Sequence, residues 1–507
     1  MTVDVAIVGA GFAGLAMAGA LRRAGRESFV VLERGSSVGG TWRDNTYPGV
    51  ACDVPSHLYG LAQHPWPDWS GTFARGDEIH RYLRHVADAE GLRERLLLDT
   101  PLLAARWTGS AWELTTGGPR RSTVRARRLV LACGRLTEPR IPEIPNLDAF
   151  TGPIFHSARW DHTVPLAGRR IAVVGTGASA VQLVPELVRR GAEVVLFQRT
   201  PAWIVPRGAV DYSAEERRRL AAHPDELAAL RAQLYLEGEQ RFASRSGDAD
   251  AAAAAEHDAR AHLAAQVDDV ALRAALTPDY AFGCKRVLLS DDFYPAVASD
   301  AVTFEASALD RVEGGALVAA SGERHHADAL VLATGFAASE QPYAHLVMGE
   351  DGVTLAEHWA GGMTSFASTV VSGFPNLFVL NGPNASLGHN SSVLMAEAQA
   401  GYVVGVLARA DAAPSGSRST QAPEAPALRV DPDAERRYTQ RIDAAAASTP
   451  WIRGGCANWY VDERSGRLTL LWPGTVDAFR AMLDESDGSE FLPAGTPRDP
   501  SRARGES

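Results

Sequence analysis

The hydrophobic pattern of the chain changes rhythm twice within its first 33 residues. The run "VDVAIVG" is apolar and rich in β-branched residues, as a buried strand requires. "FAGLAMAGALRRAG" then shifts to the helical period and stops at Gly25. "SFVVLERG" returns to the strand pattern and closes on Glu33. The same succession recurs from Arg169, where "RRIAVVG", "ASAVQLVPELVRRG" and "AEVVLFQRTP" predict strand, helix and strand. Such units lay their strands parallel, so the two copies predict an α/β fold. "LVLACG", ending at Gly134, and "LVLATG", ending at Gly335, each read as a further strand running into a glycine turn. Residues 211–280 differ: they are rich in Ala, Arg and Glu and predict a helical lobe, read as solvated scaffolding with no chemistry of its own.

Glycines mark the point where strand meets helix in each copy. In the first, Gly9 permits the tight turn, Gly11 lets a pyrophosphate approach the backbone, and Gly14 lets helix and strand pack closely. Phosphates would sit at the helix N-terminus, where free N–H groups and the dipole favour anions, and Glu33 would take the ribose hydroxyls. In the second, Gly175, Gly177 and Ala180 hold the same places, but the strand ends in Gln198-Arg199-Thr200. An acid there would repel a 2′-phosphate, whereas Arg199 can bind one bidentately and Thr200 can add a hydroxyl. The first unit therefore suits FAD and the second NADPH. This predicts two Rossmann-like dinucleotide-binding domains with a helical insert in the NADPH domain. Two such cofactors imply hydride transfer to the flavin, whose own acceptor is a disulfide, a quinone or dioxygen. No CxxC lies near the flavin motif, which disfavours a disulfide.

Composition narrows the class. At 507 residues the chain needs more than one core, and 46% hydrophobic with 22% charged residues fits a soluble globular protein. A net charge of -11 argues against a nucleic-acid partner. Cys52, Cys133, Cys284 and Cys456 are widely spaced, which suggests neither a metal site nor a redox-active dithiol and fits a reducing cytoplasm. The N-terminus lacks the basic lead of an export signal, and no membrane span is read in the chain.

Several stretches together resemble the class B flavoprotein monooxygenases, and within them the Baeyer–Villiger monooxygenases. They are "GGTWRDNTYPGVACDVPSHLY" from Gly39, "FTGPIFHSARWD" from Phe150, "GCKRVLLSDDFYP" from Gly283, "VLATGF" and "NLFVLNGPNASLGHNSS". The resemblance runs from Val3 to about Arg480. The family fingerprint is met by Phe150, Gly152, His156, Trp160 and Asp161, and Trp160 separates it from the amine- and sulfide-oxygenating flavin enzymes. The resemblance implies that the linker couples cofactor position to domain closure, with Gly152 as hinge. It also implies that Arg286 is the active-site arginine, that Asp53 lies near the flavin and pairs with it, and that Lys285 helps Arg199 hold the 2′-phosphate. Thr41, Trp42 and Tyr59 match positions lining the flavin. His156 and Trp160 also have a plain packing reading, and the two are compatible. Cys133 stands where the family usually has Thr and reads as inert. Trp451, Trp459 and Tyr460 offer either an apolar substrate wall or core packing.

The implied activity is NADPH- and oxygen-dependent insertion of one oxygen atom beside a ketone carbonyl, through a flavin peroxide, giving an ester or lactone. Its partners are a small-molecule ketone and dioxygen, with no obligate protein partner. N- or S-oxygenation is the nearest rival. An uncoupled NADPH oxidase is a milder one, and a cofactor-binding protein without catalysis is the non-enzyme alternative. The domain plan assigns residues 1–142 and 370–507 to FAD, 143–210 and 286–345 to NADPH, 211–285 to the helical insert and 346–369 to the linker back. A Pro/Ser/Ala-rich loop is expected near 410–427 and a disordered tail over 487–507.

Overall fold

The computed structural model describes residues 1–119, 121–412 and 427–492. Its largest sheet has eight strands, with Thr2–Val8 between Phe29–Leu32 and Thr123–Leu131, all three parallel. Side-chain alternation sorts its residues onto two faces. Val5, Ile7, Phe29, Val31 and Val130 pack on one side with the helix Phe12–Arg23, and Ala6, Val8, Val30, Leu32 and Leu131 pack on the other. Both faces are covered, which explains the unbroken apolar run in the sequence. Each of these branched side chains contributes about 1.5–3 kcal/mol when fully buried.

The second sheet has five parallel strands in the order Val302–Glu305, Glu193–Phe197, Arg170–Val174, Ala329–Leu332 and Ile154–His156. The same alternation sends Ile171 and Val173 to one core and Ala172 to another. The two expected α/β units are therefore present, each with its own interior.

Three features depart from expectation. The chain rejoins the first sheet earlier than residue 370: Val347–Met348 pairs with Leu102–Trp107, so part of the stretch read as a linker is sheet. The tail read as disordered from 487 is built in as far as Leu492, whose N–H donates to Arg429 O at 2.7 Å, and Phe491 bridges Val430. The rest of that tail, and residues 413–426 of the Pro/Ser/Ala-rich loop, lie outside the described residues. The cysteine spacing, read as fitting a reducing compartment, does not foresee a bond: Cys284 and Cys456, 172 residues apart, form a disulfide. No local spacing signals a bond between such distant positions.

The insert is helical, as read, with helices at Ala214–Ala222, Pro224–Gln240, Phe242–Ser246, Ala249–Gln266 and Val270–Ala275. Its inner face is not solvated scaffolding. Arg231 donates to His57 O and Leu58 O at 3.0 and 3.2 Å, and Glu239 accepts from Asn390 and from Val476 N–H, both at 2.9 Å. Among the described residues, Ser392–Ala412 is the one helix long and apolar enough to cross a membrane, and it packs in the main core against Phe12–Arg23.

Candidate active site

The first glycine cradle is demanded by sterics. Gly9 has φ +105°, and a Cβ there would stand 2.4 Å from Ala132 O; one on Gly14 would stand 1.9 Å from Gly9 O. Gly11 caps the helix Phe12–Arg23 without any side-chain acceptor, leaving its first N–H groups to an incoming anion. Glu33, at the end of the second strand, is 4% exposed and already accepts from Ala10 N–H at 2.9 Å, Gly35 N–H at 2.8 Å and Arg43 at 2.7 Å. Arg43 was not singled out from the sequence; only the fold brings it onto Glu33. Trp42 donates from its indole to Tyr59 Oη at 3.2 Å, Tyr59 packs edge-on against Phe12, and exposed Thr41 begins the same short helix, Thr41–Asp44. The uncapped helix end beside an acid at the strand end fits an adenine dinucleotide whose ribose hydroxyls reach Glu33.

The second cradle repeats the backbone with different chemistry. Gly177 caps Ala178–Arg189 with no side-chain acceptor, and a Cβ on it would meet nothing within 4 Å, while Ala180 is fully buried where helix meets sheet. Arg199 is exposed at the strand end, and Thr200 O accepts from the Thr176 hydroxyl at 3.2 Å. Lys285 stands 4.9 Å over the Tyr280 ring, and its pKa is pushed down first by burial and then by the charge of Arg199. Two cations facing one another beside an open helix end fit a nucleotide with an extra phosphate.

Between the cradles lies an ion pair. Asp53 Oδ2 accepts from Arg286 Nη2 at 2.5 Å and Nε at 3.0 Å, across 233 residues of sequence. Burial raises the Asp53 pKa, but the charge and hydrogen bonds of Arg286 outweigh it and hold the carboxyl below its usual range. Arg286 is raised in turn, chiefly by Asp53. Both partners are held from behind. Gln182, on the helix of the second cradle, accepts from Tyr47 at 2.8 Å and donates to Ala51 O at 2.9 Å, fixing the turn before Asp53. Arg207 donates to Cys52 O at 3.0 Å. The Arg286 loop is tied through Cys284 to Cys456, and Ala281 N–H donates to Gly454 O at 3.0 Å.

The fingerprint residues are packed rather than free. His156 ends the edge strand Ile154–His156, is 3% exposed, and accepts from Ala158 N–H through Nδ1 at 3.1 Å. Burial pushes its pKa down to about 4, so it is neutral at pH 7. Gly152 is less a hinge than a close approach, since a Cβ there would stand 2.3 Å from Asp328 O. Phe150 is buried in the second domain, Trp160 packs edge-on against Phe155 at 5.0 Å, and half-buried Asp161 accepts from Thr163. Of the other aromatics, Trp451 and Tyr460 are buried, and Trp459 lies against Tyr460 with ring centroids 4.4 Å apart. Cys133 is held protonated by burial, its pKa pushed up to about 12.

Arg135 and Arg245 were also missed in the sequence. Arg135 follows the strand Thr123–Leu131 and donates to Ser386 Oγ and, at 3.4 Å, to Ser392 Oγ; Arg245, from the helical insert, donates to Gly388 O. The one available signal was the glycine turn at Gly134, directly before Arg135. Arg245 sits in a charge-rich lobe where nothing distinguishes it from its neighbours.

Comparison with known proteins agrees with this geometry. A family model described as pyridine nucleotide-disulphide oxidoreductase matches residues 6–223. A Baeyer–Villiger monooxygenase of Streptomyces coelicolor is 44% identical over 96% of this chain and 92% of its own length. One from Pseudomonas aeruginosa is 38% identical over 97% of this chain and 92% of its own. Among solved structures, an oxidized steroid monooxygenase bound to NADP superposes with a TM-score of 0.82 at 28% identity, covering 97% of this chain and 99% of that one. Cyclohexanone monooxygenase from Rhodococcus sp. Phi1 bound to NADP+ gives 0.84 at 25% identity, with the same coverage.

Proposed function

This chain belongs to the Baeyer–Villiger monooxygenase family, and on that premise we propose that it binds FAD and NADPH and inserts one atom of dioxygen beside the carbonyl of a small-molecule ketone, giving an ester or lactone. The reading rests above all on the Asp53–Arg286 pair standing between two dinucleotide cradles of opposite strand-end charge. FAD reduced by NADPH supplies the oxygen-activating chemistry when both are bound.

The chain's own residues do the rest. Gly9, Gly11 and Gly14 receive the FAD pyrophosphate, Glu33 its ribose, and Thr41, Trp42 and Tyr59 line the approach to its ring. Gly175, Gly177 and Ala180 shape the NADPH cradle, and Arg199, Thr200 and Lys285 take its 2′-phosphate. Arg286 keeps its proton across the working pH range and offers a fixed cation where negative charge builds on the carbonyl oxygen. Asp53 orients that guanidinium and compensates its charge before substrate arrives. Phe150, Gly152, His156, Trp160 and Asp161 stiffen the edge of the NADPH domain so that closure carries the nicotinamide as a rigid unit. No nucleic-acid or obligate protein partner enters this reading. Its setting is the cytoplasm, where the Cys284–Cys456 bond would form against a reducing thiol pool.

The test uses FAD-loaded protein, NADPH and isotopically heavy oxygen with a panel of ketones, sulfides and amines, read by mass spectrometry. One heavy atom between a carbonyl carbon and its former neighbour is expected. Heavy oxygen on sulfur or nitrogen alone replaces this reading with heteroatom oxygenation, and NADPH consumption without labelled product replaces it with an oxidase. Arg286→Ala is expected to lower the rate of oxygen insertion about 10²- to 10³-fold while FAD stays bound.

A further inference from the structure

We propose that the ketone this enzyme accepts carries a carboxylate that seats between Arg135 and Arg245; the proposal rests on the monooxygenase reading above and names its substrate class. The two guanidiniums come from different domains, one after a strand of the first sheet and one from the helical insert, yet both grip the same turn. Arg135 donates to Ser386 and Ser392, and Arg245 donates to Gly388 O two residues further on. The turn lies against the aromatic wall, with Trp451 and Leu471 both next to Gly388. Arg245 is also locked to the loop of Arg286, because a Cβ on Gly283 would stand 3.2 Å from the Arg245 Cα.

The charges around this turn do not balance. Three arginines, Arg135, Arg245 and Arg286, act on the Tyr460 hydroxyl, while the carboxylate acting on that hydroxyl is Asp53, which Arg286 already engages through two nitrogens. Glu239 is nearby but is held by His389, Asn390 and Val476 N–H. Among the described residues, neither Arg135 nor Arg245 has a carboxylate among its hydrogen-bond partners, and the Nε of each is buried with no partner there. Burial and then Arg286 push both down to about 10, so both remain charged at pH 7. Asp53 acts on Arg245 as well, but it is already engaged by Arg286; desolvated cations sharing one carboxylate are costly, and an anionic ligand group offsets the cost. The residues that would hold the cofactor phosphates are others: the helix ends at Gly11 and Gly177, and Arg199 with Lys285.

The experiment compares methyl-ketone carboxylic acids of increasing chain length with their methyl esters, using FAD-loaded parent, Arg135→Gln, Arg245→Gln and Arg135→Lys proteins, with FAD content and circular dichroism checked for each. For the best acid, kcat/KM is expected to exceed that of its ester at least about tenfold. The preference should collapse in both Gln variants through KM and be largely kept in the Lys variant. A simple alkanoate without a ketone should inhibit the parent competitively. The parent protein alone can overturn the proposal: if acid and ester are turned over alike, it is wrong. It is also wrong if Arg135→Gln leaves the preference intact and lowers the flavin midpoint potential, which would assign that arginine to the reduced flavin. If sulfide acids outrun sulfide esters while no ketone takes up oxygen, the anion site stands and the Baeyer–Villiger reading falls.

Discussion

The two dinucleotide units share a backbone and differ in what closes their second strand. In the first, Glu33 is buried and fixed by Ala10, Gly35 and Arg43. In the second, Arg199 is exposed beside Lys285, with like charges left facing each other. An acid held by three donors has its acceptor oxygens fixed in direction. A lysine whose pKa is lowered by burial and by a neighbouring arginine is suited to a ligand that brings negative charge to it. The backbone decides that a dinucleotide binds, and one residue at the strand end decides which.

The sharpest way to break this comparison is a methyl group added to each cradle. Gly14→Ala drives its Cβ into Gly9 O and is expected to give protein without bound flavin or no folded protein, whereas Gly177→Ala meets nothing and should fold, retain FAD and lose only NADPH affinity. Flavin absorbance and thermal melting distinguish the two.

A smaller effect is expected at the strand end. Arg199→Ala should raise KM for NADPH about tenfold and leave that for NADH nearly unchanged, consistent with the loss of one charge-assisted contact. An equal effect on both nucleotides would remove the 2′-phosphate assignment.

Next comes the tether beside the second cradle. Cys284→Ser opens a bond closing 172 residues and is expected to cost about 2–4 kcal/mol of stability, with KM for the ketone rising more than KM for NADPH, because the bond tethers the loop that carries Arg286. Thiol counting under denaturing conditions, before and after a dithiol reductant, tests whether the bond is present in solution.

The smallest effect is on pH dependence, and here the two halves behave alike. Each carries a buried neutral histidine, His57 in the first and His156 in the second, both pushed down to about 4 by burial. A histidine whose folded pKa lies below its unfolded value takes up protons on unfolding, so stability falls as pH drops from about 6.5 towards 4. Melting temperatures at pH 7 and pH 5 should show this loss, and His57→Asn or His156→Asn should each reduce it. An unchanged loss in both would overturn the histidine assignment, because carboxylates such as Asp53, whose lowered pKa acts below that window, contribute nothing between pH 7 and pH 5.

The sequence by itself determined whatever depends on neighbours within about 30 residues: both strand–helix–strand units, their glycines, the opposite strand ends at Glu33 and Arg199, and the helical character of the insert. The Asp53–Arg286 pair was legible only through family resemblance, because its partners are 233 residues apart. Other features had no local signature. The Cys284–Cys456 bond, Arg43 on Glu33, the early return of the chain at Val347, and the meeting of Arg135 with Arg245 over the turn Ser386–Ser392 arise when separate elements close on one another. Hydrophobic period and turn chemistry are properties of a segment and are written along it. Which charged side chains end up sharing one desolvated volume depends on how two sheets and a helical lobe pack, and only the tertiary structure decided that.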